Sequence, residues 1–295
     1  MRSQLNAIWR DARPYLAPPW LHLPNLERLH PRVQENASPV YASPSPILQV
    51  YSLGEVSVRC NGRIIEDSQW HTTKNKHLFF CLLSHPHGIS EDAILEEFWP
   101  HAWETGKQNL YSATSKLRHI FRSLSGSERR FIVRRQGRLI WEDNLPLWYD
   151  LHEVRRQAQD AHSVTALAAN LRLVELTRGP FLTECEHNWA QTVRTEVELL
   201  TQNALAFLSR HYLEAGNNEE ALELAQRLMT QYPLEQLGCE LTMRALLNLG
   251  HSTRALACCR TFCDRLRHEL DAAPTLELQK LYQQAKMGVT IPIHV

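Results

Sequence analysis

Nowhere in its 295 residues does this chain offer an apolar run long enough to cross a bilayer, and it shows no signal-like apolar segment. A protein built of membrane-spanning helices is thereby excluded, and a cytoplasmic setting is expected. The cysteines agree. There are seven, an odd number without framework spacing, which suits reduced thiols and not a disulfide scaffold. Net charge is also missing, with 32 basic residues against 32 acidic ones, a balance that taken whole argues against a polyanion-binding protein. Catalytic signatures are absent as well: there is no G-x4-G-K-[ST] phosphate loop, no G-x-S-x-G elbow and no H-E-x-x-H helix. Neither an enzyme, a cofactor nor a metal is expected, and no acidic receiver-type segment is found.

What is present is unevenly distributed. Residues 48–141 hold 13 Lys+Arg and 9 Asp+Glu, a net +4, whereas residues 142–295 hold 14 and 20, a net −6. The first part can meet a polyanion, and the second should stay off a duplex and meet proteins. At 43% apolar residues, the chain is long enough for two cores.

The cationic part reads as a helix–turn–helix followed by a wing. From Lys74 to Ser84 the apolar positions Leu78, Phe79, Leu82 and Leu83 mark one buried helix face. Lys74 and Lys76, in the first turn, oppose the helix dipole, which is tolerated best when an anion such as a phosphate lies opposite. His85-Pro86-His87-Gly88 ends that helix, and its histidines read as a solvated loop in preference to a metal site. Ser90, followed by Glu91 and Asp92, caps a second helix with the stripe Ile94, Leu95, Phe98 and Trp99, stopped by Pro100.

The third helix, about Thr105 to Arg122, divides into two faces. Leu110, Ala113, Thr114, Leu117, Ile120 and Phe121 fall on the side that packs on the first two helices. Gln108, Tyr111, Ser112, Ser115, His119 and Arg122, flanked by Lys116 and Arg118, face away, where they can meet base edges and phosphates. Tyr111 is a candidate base contact, with a core aromatic as the other reading. Beyond, Arg129 to Arg135 and Arg138 to Trp141 read as two strands about Gln136-Gly137, with five arginines and no acid between them. Such a wing suits the phosphate backbone or a minor groove.

In this order, residues 47–141 resemble the OmpR-type winged helix of the SARP family of bacterial activators. Ile47 to Gly54 followed by Val56 to Arg59 is similar to that family's opening hairpin, Ile89 to Pro100 to its second helix, and Asn109 to Arg118 to its recognition helix. Ser115, Lys116 and Arg118 match its Ser-Arg-Leu-Arg element, with lysine in place of the usual arginine at 116. Lysine lacks the bidentate fork for guanine.

The acidic part strengthens the resemblance. Gly216 to Leu222 and Gly250 to Leu256 share a G-x4-A-L frame whose glycines lie 34 positions apart, the tetratricopeptide period. Glycine permits the turn and alanine a close helix approach. Two repeats are too few for a solenoid, so helices at about Asp150 to Asp160 and Ser163 to Thr177 are expected to complete the stack. Together with Leu176 to Leu182, the helix from Trp189, and Glu269 to Leu278, this resembles the bacterial transcriptional activator domain that follows the winged helix in SARP-type proteins. Cys258, Cys259 and Cys263 share one helix near His251. Small packing residues explain them better than a metal or redox site, since no second C-x-x-C or His-x3-His completes a tetrahedral set.

The expected organisation is mainly α with a small β component: a Pro-rich extension over 1–46, a winged helix-turn-helix over 47–141, an α-helical tetratricopeptide-like domain over 148–286, and a tail over 287–295. The extension carries eight prolines together with Trp9, Tyr15 and Trp20, and reads as a mobile tail, a docking arm or the remnant of an upstream domain. Base reading is expected from Gln108, Tyr111, Ser112, Ser115 and His119. Phosphate contact is expected from Lys74, Lys76, Lys116, Arg118 and Arg122, with Arg134, Arg135 and Arg138 placing the wing. The resemblance implies a transcriptional activator bound as two protomers to direct repeats of double-stranded DNA, contacting RNA polymerase and no membrane. The alternative is a tetratricopeptide adaptor whose winged helix binds protein or dimerises, and a ligand sensor on the concave helical face could coexist with the first reading.

Overall fold

The computed structural model describes residues 47–102, 104–126, 130–142, 146–161 and 163–287. The extension over 1–46, Arg129 and the tail beyond Met287 lie outside them.

Leu48 and Val50 alternate with half-buried neighbours, the pattern of a strand with one face in a core. This strand, β1 (Leu48–Tyr51), pairs antiparallel with β2 (Ser57–Cys60), which pairs with β3 (Arg63–Ile64) across Asn61-Gly62. Both turn residues have positive φ, 50° and 77°, as a tight hairpin turn requires. A 3-10 turn then buries Trp70 and leads into α1 (Thr73–Ser84), whose N-cap Thr72 accepts from Asn75 N. Helix α2 (Glu91–Phe98) is capped by Ser90, and α3 (Gly106–Ser125) ends at left-handed Gly126.

Strands β5 (Ile132–Arg135) and β6 (Arg138–Trp141) form the wing, turning on Gln136 and Gly137 at φ 50° and 73°. The sheet gains a short third strand, β4 (Ile89–Ser90), beside β6. The winged-helix core is aromatic. Phe79 lies 5.1 Å from Trp70, 5.0 Å from Phe121 and 5.2 Å from Trp141, ring centre to ring centre.

The remainder is helical: α4 (Asp150–Asp160), α5 (Ala166–Leu176), α6 (Asn188–Glu214), α7 (Asn218–Gln231), α8 (Gln236–Asn248), α9 (Ser252–Leu270) and α10 (Leu276–Met287). The 34-residue echo is visible atom by atom. Gly216 and Gly250 take φ of 79° and 77°, and the same turn bond recurs as Asn217 N to Tyr212 O and His251 N to Leu246 O, both 2.8 Å. Ala221 and Ala255 are fully buried at the returning helices. Gly238 serves the contact between α7 and α8, where an added Cβ would stand 3.0 Å from the Met229 backbone.

The two halves are welded. Strand β7 (Leu147–Tyr149) lies parallel to β1, so the segment leading into the helices completes the opening sheet. The buried Asp150 carboxylate accepts from Ser52 N (2.6 Å), Ser52 Oγ (2.7 Å), Leu53 N (2.9 Å) and Leu151 N (2.8 Å). Burial raises its pKa, and these donors pull it back down. Arg155 joins Glu196 by two bonds, of 2.8 and 2.7 Å, and donates to Ser84 O at 2.8 Å. Gly54 and Gly179 meet backbone to backbone, leaving no room for a side chain at 179.

At this junction His77 meets His187 edge to face at 5.6 Å, and His187 lies 3.5 Å from Glu97. Burial, then the neighbouring His187 and Lys76, hold the His77 pKa down at about 4. The unfolded chain, with a histidine pKa of about 6.5, therefore binds a proton that the folded state refuses. This contribution to stability is complete above pH 6.5 and is lost as pH falls towards 4. Allowing for partial exposure, we expect a loss of about 1–2 kcal/mol across that window. Urea unfolding of wild type and His77→Gln at several pH values checks it, and parallel pH profiles for the two would refute it.

Candidate nucleic-acid interface

Helix α3 buries Gly106, Leu110, Ala113, Thr114, Leu117, Ile120 and Phe121, and presents the opposite side to solvent. Gln108, Tyr111, Ser112, Ser115, Lys116, His119 and Arg122 are all exposed, and so are Lys107, Asn109 and Ser123. Thr114 explains the tolerance of a hydroxyl on the buried side, since its Oγ1 donates to Leu110 O at 2.9 Å. Tyr111 is half exposed and so stands on the outer face, not in the core.

The cations divide into two groups. Lys74 Nζ donates to Phe98 O at 2.8 Å and lies 5.2 Å over the Trp99 ring, while Lys76 pairs with Asp67 at 2.6 Å. Both lysines at the start of α1 thus have partners within the chain, and only that of Lys76 is an anion. The partner of Lys74 is a backbone carbonyl at the end of α2, where the helix dipole favours a cation. Arg118 is a tether too. Its Nε donates to Ile132 O at 3.2 Å, and burial lowers its pKa. Arg138 donates to Gly88 O at 3.3 and 2.8 Å, and so fixes the base of the wing.

Arg134 and Arg135 reach further out. Arg135 pairs with Glu142 at 2.9 Å, with its side chain 63% exposed. Arg134 pairs with the buried Glu91 carboxylate and lies 5.8 Å from the Tyr111 ring. The ion pair locks the wing to the N-terminus of α2 and presses Tyr111 against a cation. No local spacing ties residue 91 to residue 134, so Glu91 reads in sequence only as a first-turn acid. Asn61 is a further residue without a sequence signal, its side chain donating to Leu124 O at 3.1 Å near the end of α3. By contrast, the side chains of Gln108, Ser112, Ser115, Lys116 and His119 make no hydrogen bond or ion pair among the described residues.

A helix with one polar, cationic face beside an arginine hairpin, fused to a stack of helix pairs, defines a winged-helix domain joined to an all-helical domain. Residues 149–286 match the family described as Bacterial transcriptional activator domain. The winged helix stands ahead of that domain in the chain. In fold the chain is similar to EmbR of Mycobacterium tuberculosis, solved in complex with a low affinity phosphopeptide, at a TM-score of 0.68 and 17% identity over 84% of this chain and 67% of that one. No curated protein matches the sequence. Among the described residues, no helix is long and apolar enough to cross a membrane.

Proposed function

We propose that the chain is a sequence-specific DNA-binding transcriptional activator. The observation that carries this reading is the outer face of α3, where Gln108, Ser112, Ser115, Lys116 and His119 stand exposed beside the arginine wing. Side chains left without partners on a helix of this type are available to base edges in a major groove. In this reading Tyr111 joins them as a base reader, and Lys116, Arg122 and Arg135 meet phosphates. Lys74, Lys76, Arg118, Arg134 and Arg138 set the interface in position through their bonds within the chain. One such face is small for a specific complex, so two protomers occupy neighbouring repeats, and the acidic helical half, net −6, meets the partner protomer and RNA polymerase.

Selection of bound duplexes from a random DNA pool tests this, followed by affinity against salt for the winner and a scrambled control. A repeated motif bound far more tightly than the control, with a steep salt slope, is the expected result. Arg135→Ala should weaken binding to every sequence and flatten the slope by about one, whereas Ser115→Ala should change sequence preference. Equal losses on all sequences from both variants would overturn these roles. Enrichment of nothing by folded protein would favour the adaptor reading.

A further inference from the structure

Glu91, the first residue of α2, is tied to the wing twice. Its backbone N–H donates to Gly137 O at 3.3 Å, and its Oε2 accepts from Arg134 Nη2. The carboxylate is deeply buried, with 8% of its side chain exposed, and its other oxygen, Oε1, has no hydrogen-bond partner among the described residues. Arg134 is therefore the partner on which this buried charge depends. The same guanidinium lies 5.8 Å from the centre of the Tyr111 ring, within the range of a cation–π contact. Glu91, Arg134 and Tyr111 thus form a chain of contacts from α2 through the wing to the outer face of α3.

That chain has two consequences for a duplex laid on α3. The first concerns charge. Arg134 can leave for a phosphate only by stranding a buried carboxylate, a strongly unfavourable step. Arg135 is different, because the Glu142 carboxylate that holds it is about twice as open, at 17%, and water can take its place. The second consequence concerns order. An exposed tyrosine on a helix surface divides its time among rotamers, and fixing it on binding costs affinity. A cation seated on the ring of Tyr111 fixes it beforehand.

We propose that Glu91, itself buried, is a specificity-determining positioning residue: by holding Arg134 on Tyr111 it withholds one cation from the phosphates and presents a fixed ring to the bases. The inference rests on the DNA-reading function proposed above and deepens it. It also carries a distinctive sign. Damage to an interface ordinarily weakens binding, whereas removing the charge of Glu91 should strengthen non-specific binding while blunting discrimination.

The test is a salt titration of the full chain on the selected operator and on a scrambled duplex. Wild type, Glu91→Gln, Arg134→Ala and the double variant are compared, each checked for folding by circular dichroism. Glu91→Gln keeps the shape and removes the charge. It should bind the scrambled duplex about threefold more tightly at low salt, steepen the slope of log K against log salt by about one, and lose about fivefold or more of its preference for the operator. Arg134→Ala alone should lose the same preference with an unchanged slope, and in the double variant the added steepness should vanish. Equal weakening on both duplexes by Glu91→Gln, at an unchanged slope, would make Glu91 a structural residue only and overturn the proposal. A slope flattened by about one in Arg134→Ala alone would place Arg134 on a phosphate already, and would overturn it too. If Glu91→Gln does not fold, Arg134→Ala decides alone. Wild-type protein that prefers no duplex over another would defeat the DNA-reading function itself, and the proposal with it.

Discussion

Replacing Asp150 by alanine is expected to remove about 4 kcal/mol of stability, among the largest losses any single side chain here should cause. Its carboxylate receives four hydrogen bonds, two of them from the backbone of Ser52 and Leu53, and it is 3% exposed. Without it, those N–H groups are buried with no acceptor, and each costs about 1–3 kcal/mol. Asp150→Asn should fall between, because one oxygen remains while the new amide N–H groups face other donors. Urea unfolding measures both. A loss below about 1 kcal/mol for the alanine variant would mean that water replaces the carboxylate and that the junction is less dry than described.

A second large effect is expected at Gly88. Its φ is 75°, and an added Cβ would lie 2.5 Å from Ile140 Cγ1 and 2.9 Å from Leu139 O. Alanine there must displace the backbone of β6, at a cost of about 2–3 kcal/mol. The displacement also disturbs the Gly88 carbonyl that holds Arg138, so under the proposed function operator affinity should fall by about tenfold or more, the equivalent of about 1.4 kcal/mol. Gly137 is the control. It has a similar φ, 73°, but nothing within 4 Å of an added Cβ, so Gly137→Ala should cost only about 1 kcal/mol and leave the wing placed. Equal effects at the two glycines, by unfolding and by DNA titration, would refute the packing argument.

The parts legible in sequence were those written in short-range periodicity. The two faces of α3, the Gln136-Gly137 turn of the wing and the 34-residue echo of Gly216 in Gly250 all depend on neighbours within a few turns, or on a repeat of them. The strands β4 and β7, two and three residues long, are too short to alternate, and their pairing is decided by partners far along the chain. The same holds for the candidate interface. Exposure of Ser115 or Lys116 follows from helical spacing, but the retention of Lys74 by Phe98 O, of Arg118 by Ile132 O and of Arg134 by Glu91 comes from tertiary placement. A count of cations predicts the sign of a surface, and only coordinates tell which of them are already spoken for.

The weld at β7 and Asp150 also sets a phase. Among the described residues, the strand that leads into the helical half is itself part of the opening sheet, so backbone pairing and the Asp150 bonds tie that half to the domain that carries α3. Under the proposed function the helical half then behaves as a fixed pointer on the duplex. Moving the operator by half a helical turn, about 5 base pairs, would aim that pointer at the opposite side of the DNA, while a full turn would restore it. Promoter output should therefore rise and fall with the pitch of the double helix as the operator is shifted, and not decline smoothly with distance.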